Sequence, residues 1–286
     1  MKIIDILNQD KITLSFEVFP PKLTKNYDDV AFKAKEIAKL HPDFMSVTYG
    51  AGGGTSEYTL NIAKEIKEKE NVEVMAHLTC VSSSKEHVHS MIHRLKENHI
   101  ENIMALRGDI PSGGSKFHDY QHASELIKEI KASGDFCIGA ACYPEGHPEA
   151  GNKDTDIKNL KKKVDAGADF LTTQMFFDNN VFYNFLFRAR EAGIDVPIVA
   201  GIMPITRGLQ VKRARELSNC SMPQRFISMV DKFGDNDEAM KQAGIIYASE
   251  QIIDLIASGI KHIHVYSMNK PDVACAIMHN VSEIIR

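Results

Sequence analysis

The residue in this sequence most suited to chemistry is a carboxylate set among apolar neighbours. Glu17 lies within Ser15-Phe16-Glu17-Val18-Phe19-Pro20-Pro21, at the end of a short aromatic and β-branched stretch. Burial disfavours a charged carboxyl, so Glu17 is expected to titrate above the ~4.3 of a free glutamate and to act as a general acid. A strand carboxylate paired with a Lys or Arg is the structural alternative. Other polar residues close similar apolar segments: Thr48 and Tyr49, His77 and Thr79, Arg107 and Asp109, Tyr143, Gln174, and Tyr266 with Asn269. Coming from separate segments, they predict a large ligand with many polar groups rather than a minimal catalytic dyad.

Weaker signals surround these. Gly50-Ala51-Gly52-Gly53-Gly54-Thr55 and Arg107-Gly108-Asp109-Ile110-Pro111-Ser112-Gly113-Gly114-Ser115 could offer backbone N–H groups to an anion. Neither has the GK[ST] ending of a phosphate-binding P-loop nor a GxGxxG pattern, and tight βα turns are the more common reason for such stretches. His89 and His93 share a helix face, but the Glu of HExxH is missing, so no metal site is expected. Met75, Met104, Met175 and Met203 read as core fillers. The run Lys161-Lys162-Lys163 reads, as a charge run, as a solvated helix face.

Short apolar segments alternate with amphipathic ones. Strands are predicted over Ile12–Val18, Phe44–Tyr49, Val72–Leu78, Asn102–Leu106, Phe136–Ala141, Phe170–Met175, Pro197–Ile202 and His262–Ser267, apolar on both faces as buried parallel strands are. Helices are predicted over Tyr27–Leu40, Glu57–Lys69, Ser84–Asn98, Ala123–Ala132, Ile157–Ala166 and Asn179–Ala192. Further helices, Leu209–Ser218, Gln224–Lys232 and Glu238–Ala257, fill the gap before the last strand. Such an even βα alternation predicts an α/β fold, a (βα)8 TIM barrel forming a single domain over residues 1–286. The site is then expected at the C-terminal ends of the strands.

A formal net charge of −4 and a pI near 6.3 argue against nucleic acid as the partner. Neither a signal-peptide pattern nor a membrane-spanning apolar run is seen. The cysteines, odd in number and without a CxxC pair, read as small buried hydrophobes in a reducing compartment. The expected location is the cytoplasm.

The polar motifs resemble one family in collinear order. Ser15–Lys22, Ser46–Ala51, His77–Cys80, Ala105–Asp109, Tyr143–Glu149, Asn159–Ala168, Gln174–Asp178 and Tyr266–Asn269 are similar to methylenetetrahydrofolate reductase over nearly the whole chain. The resemblance implies an FAD-dependent barrel reducing 5,10-methylenetetrahydrofolate to 5-methyltetrahydrofolate, with NADH or NADPH as co-substrate. It implies Glu17 as the acid that opens the methylene bridge, Asp109 beside flavin and pterin, Gln174 on the pterin, and Thr48 near the nicotinamide. For FAD it implies Tyr49, Ala51, His77, Arg107, Gly108, Asp109, His122, Ala123, Tyr143, His147, Ala150, Asp156, Asn159, Lys162 and Lys163, the last two at the pyrophosphate. Gln210 and Lys270 are implied on the folate side. The sequence departs from the family pattern at His122, where Tyr is common, at Lys162 and Lys270, where Arg is common, and at Ala214, where some relatives carry an aromatic. Ala214 keeps an electron-transfer partner subunit open as the donor. A folate-barrel methyltransferase without flavin is the other alternative, and a homo-oligomer is the expected assembly.

Overall fold

The computed structural model describes residues 1–21, 23–49, 56–81, 83–110, 119–218 and 220–286. Ala51 and the rest of the first glycine-rich loop lie outside the described residues, as does the second from Pro111 onward. Among the described residues, eight parallel strands close into a barrel in sequence order. They are β1 (Thr13–Val18), β2 (Met45–Val47), β3 (Val74–Thr79), β4 (Asn102–Leu106), β5 (Cys137–Cys142), β6 (Phe170–Thr173), β7 (Ile198–Ile202) and β8 (His262–Tyr266). β1 and β8 close the ring, with Thr13 opposite His262 and Glu17 opposite Tyr266. The predicted barrel is therefore the observed one.

Outside the strands run α1 (Ile3–Leu7), α2 (Tyr27–Ala38), α3 (Ser56–Glu70), α4 (Lys85–Glu97), α5 (Ala123–Ser133), α6 (Lys153–Asp165) and α7 (Asn179–Glu191). They are followed by α8 (Leu209–Ser218), α9 (Gln224–Phe233), α10 (Asp237–Ala257) and α11 (Pro271–Val281). α6 begins four residues before its predicted start at Ile157, because its first turn is polar and set by a cap. The Asn152 side chain accepts from Thr155 N at 2.8 Å there, satisfying one of the free N–H groups of a helix start. No helix among the described residues is long and apolar enough to cross a membrane.

Two packing features position the site. The sequence reading assigned no element to Ile3–Leu7, yet this short helix plugs the bottom of the barrel. Ile3 and Leu7 pack against Phe44, just before β2, and against Met75, Met104, Cys137, Phe170 and Val199 on β3 to β7. The buried amide of Asn102 accepts from Ile3 N (2.7 Å) and donates to the carbonyls of Met1 and Val74. With its lower half filled, the barrel can hold a ligand only at the C-terminal end. Separately, α8, α9 and α10 share an apolar cluster of Met175, Phe177, Ile205, Ala214, Cys220, Met222, Phe226 and Met240. That cluster seats α8 against the rim of the barrel mouth.

Candidate active site

Successive strand residues face opposite sides, so alternate positions point into the barrel. Above the apolar plug the inward positions turn polar: Ser15 and Glu17, Ser46 and Thr48, His77 and Thr79, Thr172 and Gln174, His264 and Tyr266. They lead up to a cavity of about 1270 Å³. Its lining contains Glu17, Thr48, Tyr49, His77, Arg107, Gly108, Asp109, His122, Ala123, Tyr143, His147, Ala150, Asp156, Asn159, Lys162, Lys163, Gln174 and Gln210. The volume exceeds the ~300–1,000 Å³ of an ordinary small-molecule pocket. Lys270 stands just outside this lining and donates to Thr206 Oγ1; Thr206 N in turn donates to Gln210 Oε1 at 2.9 Å.

At the base, Glu17 Oε2 accepts from Ser46 Oγ at 3.3 Å, with His77 Nε2 at 3.6 Å and His264 Nε2 at 3.8 Å. Ser15 Oγ donates to Ile263 O (3.0 Å) and lies 2.7 Å from His264 Nδ1. Its hydroxyl proton being spent, Ser15 accepts from Nδ1–H, which leaves Nε2 of a neutral His264 as an acceptor. Ser46 Oγ is 3.1 Å from that nitrogen and has one proton to give, to His264 or to Glu17. The chain Glu17–Ser46–His264 can therefore share one proton without solvent.

The carboxyl does not behave as the sequence reading expected. Burial does push Glu17 up, but once the imidazoles carry a proton the nearby His264 and His77, with the Ser46 hydroxyl, outweigh it, so Glu17 sits below the usual glutamate range. The predicted upward shift is thus corrected: strand neighbours suggested an apolar environment, whereas the inward faces of β2, β3 and β8 supply imidazoles and a hydroxyl. Burial pushes His77 down to about 4. Its Nε2 is buried without a hydrogen-bond partner among the described residues, as is Thr172 Oγ1 on β6.

Along the β4–β6 side, Gly108 adopts φ +87°, and a Cβ there would lie 3.1 Å from that of Thr79. Glycine lets the Arg107–Asp109 turn pass this close to β3. The Arg107 guanidinium meets Glu149 with both terminal nitrogens and holds that carboxyl below its usual range. Asp156, Asn159 and Lys163 share one face of α6. Lys163 Nζ donates to Ala141 O at 2.8 Å and has no carboxylate within salt-bridge distance among the described residues. Burial pushes its ammonium down and the Asp156 carboxyl up. Lys161, read as solvated, lies in an exposed surface pair with Asp165 one turn on.

Comparison with known proteins adds to this geometry. The sequence profile of methylenetetrahydrofolate reductase matches residues 2–282. The chain belongs to that family. It is 37% identical over 273 residues to the 5,10-methylenetetrahydrofolate reductase of Escherichia coli (strain K12), covering 96% of this chain and 92% of the relative. It is 36% identical over 298 residues to methylenetetrahydrofolate reductase (NADH) 1 of Zea mays, covering 99% of this chain and 50% of the longer plant protein. A solved structure, described as an uncharacterized protein from Clostridium thermocellum that binds two copies of 5-methyl-5,6,7,8-tetrahydrofolic acid, superposes with a TM-score of 0.68. It covers 99% of both chains at 14% identity, a likeness of fold alone.

Within this reductase fold, the structure shows side chains that the sequence reading did not single out. Ser46 from β2 and His264 from β8 face Glu17, Ser15 bonds His264 from β1, and Thr172 lines the cavity from β6. Period-two alternation of polar residues in otherwise apolar strands was the signal that could have found them. His87, read as part of a peripheral helix, bonds the Tyr49 hydroxyl at 2.8 Å and lines the cavity. Among the departures, Ala214 is buried in the α8 cluster and also lines the cavity.

Proposed function

We propose that this protein reduces 5,10-methylenetetrahydrofolate to 5-methyltetrahydrofolate with FAD as cofactor and NADH or NADPH as hydride source. The observation that carries the reading is a family member's cavity large enough for two ligands, with Glu17 at its base and Asp109 and Gln174 on its walls. The side chains suit a flavin dinucleotide: among the described residues His77 Nε2 has no hydrogen-bond partner and the Lys163 ammonium no carboxylate in salt-bridge range, and the Gly108 turn passes close by. Bound FAD would store two electrons as hydride and release them to the one-carbon unit.

Every other task falls to the chain. Lys162 and Lys163 would neutralise the pyrophosphate, with Arg107, Asp156 and Asn159 along the same groove and Tyr49, His122, Ala123, Tyr143, His147 and Ala150 lining the rest of it. Thr48 would border the nicotinamide. Asp109 and Gln174 orient the pterin by hydrogen bonds, while Gln210 and Lys270 face the glutamate end of the folate. Glu17 delivers a proton to the departing nitrogen, opening the methylene bridge to an electrophilic iminium. Covering Glu17 with the pterin removes water and strengthens burial, the contribution that already pushes its pKa upward. Ser46 and His264 keep a proton within reach as that happens.

The donor is read as NADH or NADPH, as the plant relatives' names carry NADH. The small side chain of Ala214 on the cavity wall favours a second reading, in which a partner subunit supplies the electrons. Anaerobic stopped-flow absorbance at the flavin band tests both. Bleaching by a nicotinamide and recovery on adding methylenetetrahydrofolate is the expected result; reoxidation of dithionite-reduced flavin by folate, with no bleaching by either nicotinamide, selects the partner reading. Glu17→Gln should keep FAD and bleach normally, yet fail to recover with folate. A protein that takes up no FAD overturns the proposal.

A further inference from the structure

Between β8 and α11 the chain passes through Ser267-Met268-Asn269-Lys270, and two consecutive residues take left-handed backbone angles, Met268 at φ 55° and Asn269 at φ 53°. Methionine has no preference for that region, and strain of this kind persists only where the surroundings impose it. The Asn269 side chain, 8% exposed, supplies the constraint. Its amide oxygen accepts from Phe19 N and its amide nitrogen donates to Phe19 O, each at 2.9 Å. This is a two-point bond to the backbone of one residue, Phe19, in the loop after β1. Pro20 and Pro21, which follow, have no N–H to anchor that loop.

The same tetrapeptide touches both sides of the mouth. Ser267 Oγ donates to Glu17 O at 2.7 Å. Met268 lines the cavity, and Lys270 reaches Thr206, which is tied to Gln210. One short loop thus holds the backbone of the acid at one end and the rim carrying Gln210 at the other.

We propose that Asn269 is a positioning residue: its amide clamps the loop after β1 so that the Glu17 carboxyl is fixed against the folate bound between it and Met268. The inference rests on the reductase reading. Asparagine suits both demands, since it tolerates the left-handed region and offers a donor and an acceptor side by side. Glycine meets only the first demand. Aspartate matches the shape but, when ionised, sets a carboxylate against Phe19 O; when protonated, it restores both bonds.

The test uses Asn269→Gly and Asn269→Asp in the FAD-loaded protein. Flavin is photoreduced anaerobically and reoxidised with methylenetetrahydrofolate across folate concentration and pH, with FAD content and thermal unfolding measured alongside. The titratable groups facing Glu17 are His77 from β3 and His264 and Tyr266 from β8, all intact in both variants. At neutral pH the limiting reoxidation rate per bound flavin should fall at least about tenfold in both, with FAD content held. As pH falls, Asn269→Asp should recover relative to wild type while Asn269→Gly does not. A rate per flavin within twofold of wild type in Asn269→Gly, or no recovery of Asn269→Asp at low pH, overturns the clamp. Wild-type protein that folate fails to reoxidise overturns the reductase reading instead, and the inference with it.

Discussion

Lys163→Met should move two properties in opposite directions. The ammonium is buried, donates to a single carbonyl, and has no carboxylate in salt-bridge range among the described residues, so burial drives its pKa down. Methionine keeps the stem and removes the charge. Losing a desolvated cation that lacks an ion partner leaves the FAD-free protein unchanged or more stable, by up to about 2 kcal/mol. The FAD phosphates lose one charge-assisted hydrogen bond, worth about 1.5–3 kcal/mol, so the dissociation constant should rise roughly 10- to 150-fold. Urea unfolding of the FAD-free protein and quenching of FAD fluorescence on titration read the two quantities separately. If Lys163 were a structural anchor for Ala141 O, the variant would be destabilised and FAD affinity would fall only through unfolding. A destabilised FAD-free variant, or one that binds FAD as wild type does, refutes the assignment.

Stability should also depend on pH through His77. Its pKa is about 4 in the folded protein against 6.5 in the unfolded chain, so the unfolded state binds the extra proton between those values. The stabilisation is present above pH 6.5 and is lost as pH falls towards 4, to a total of about 3 kcal/mol from this group. His262 shares the window, also falling to about 4 by burial. Urea midpoints of wild type and His77→Gln should therefore converge as pH drops from 7 to 4, and parallel curves would contradict the shift. Gly201→Ala should disturb the far wall, because a Cβ there would lie 2.3 Å from Thr173 O and 2.6 Å from the Tyr266 hydroxyl. Overpacking of this kind costs about 1–3 kcal/mol, or several degrees of Tm at this chain length. Folate-driven reoxidation should slow with it, since Tyr266 packs edge-on against His264; an unchanged Tm and rate would show that the wall yields.

Much of this protein was legible in one dimension. Burial of parallel strands on both faces leaves an apolar signature, and helices that pack on them leave an amphipathic one, so the alternation alone implied the barrel and the end at which its polar residues gather. The motifs around Glu17, Asp109 and Gln174 pointed to one family in order, and the family profile spans residues 2–282. Tertiary structure decided matters that depend on which strands become neighbours. Glu17 and His264 are 247 positions apart in sequence yet lie on adjacent strands, because β8 returns to pair with β1. That closure reverses the expected direction of the Glu17 shift: local sequence reports the apolar residues beside a carboxyl along its own strand, whereas its pKa is governed by what the neighbouring strands point at it. The plug formed by Ile3–Leu7 and the clamp of Asn269 on Phe19 follow the same logic, since each is a contact between distant segments that only the closed ring brings together.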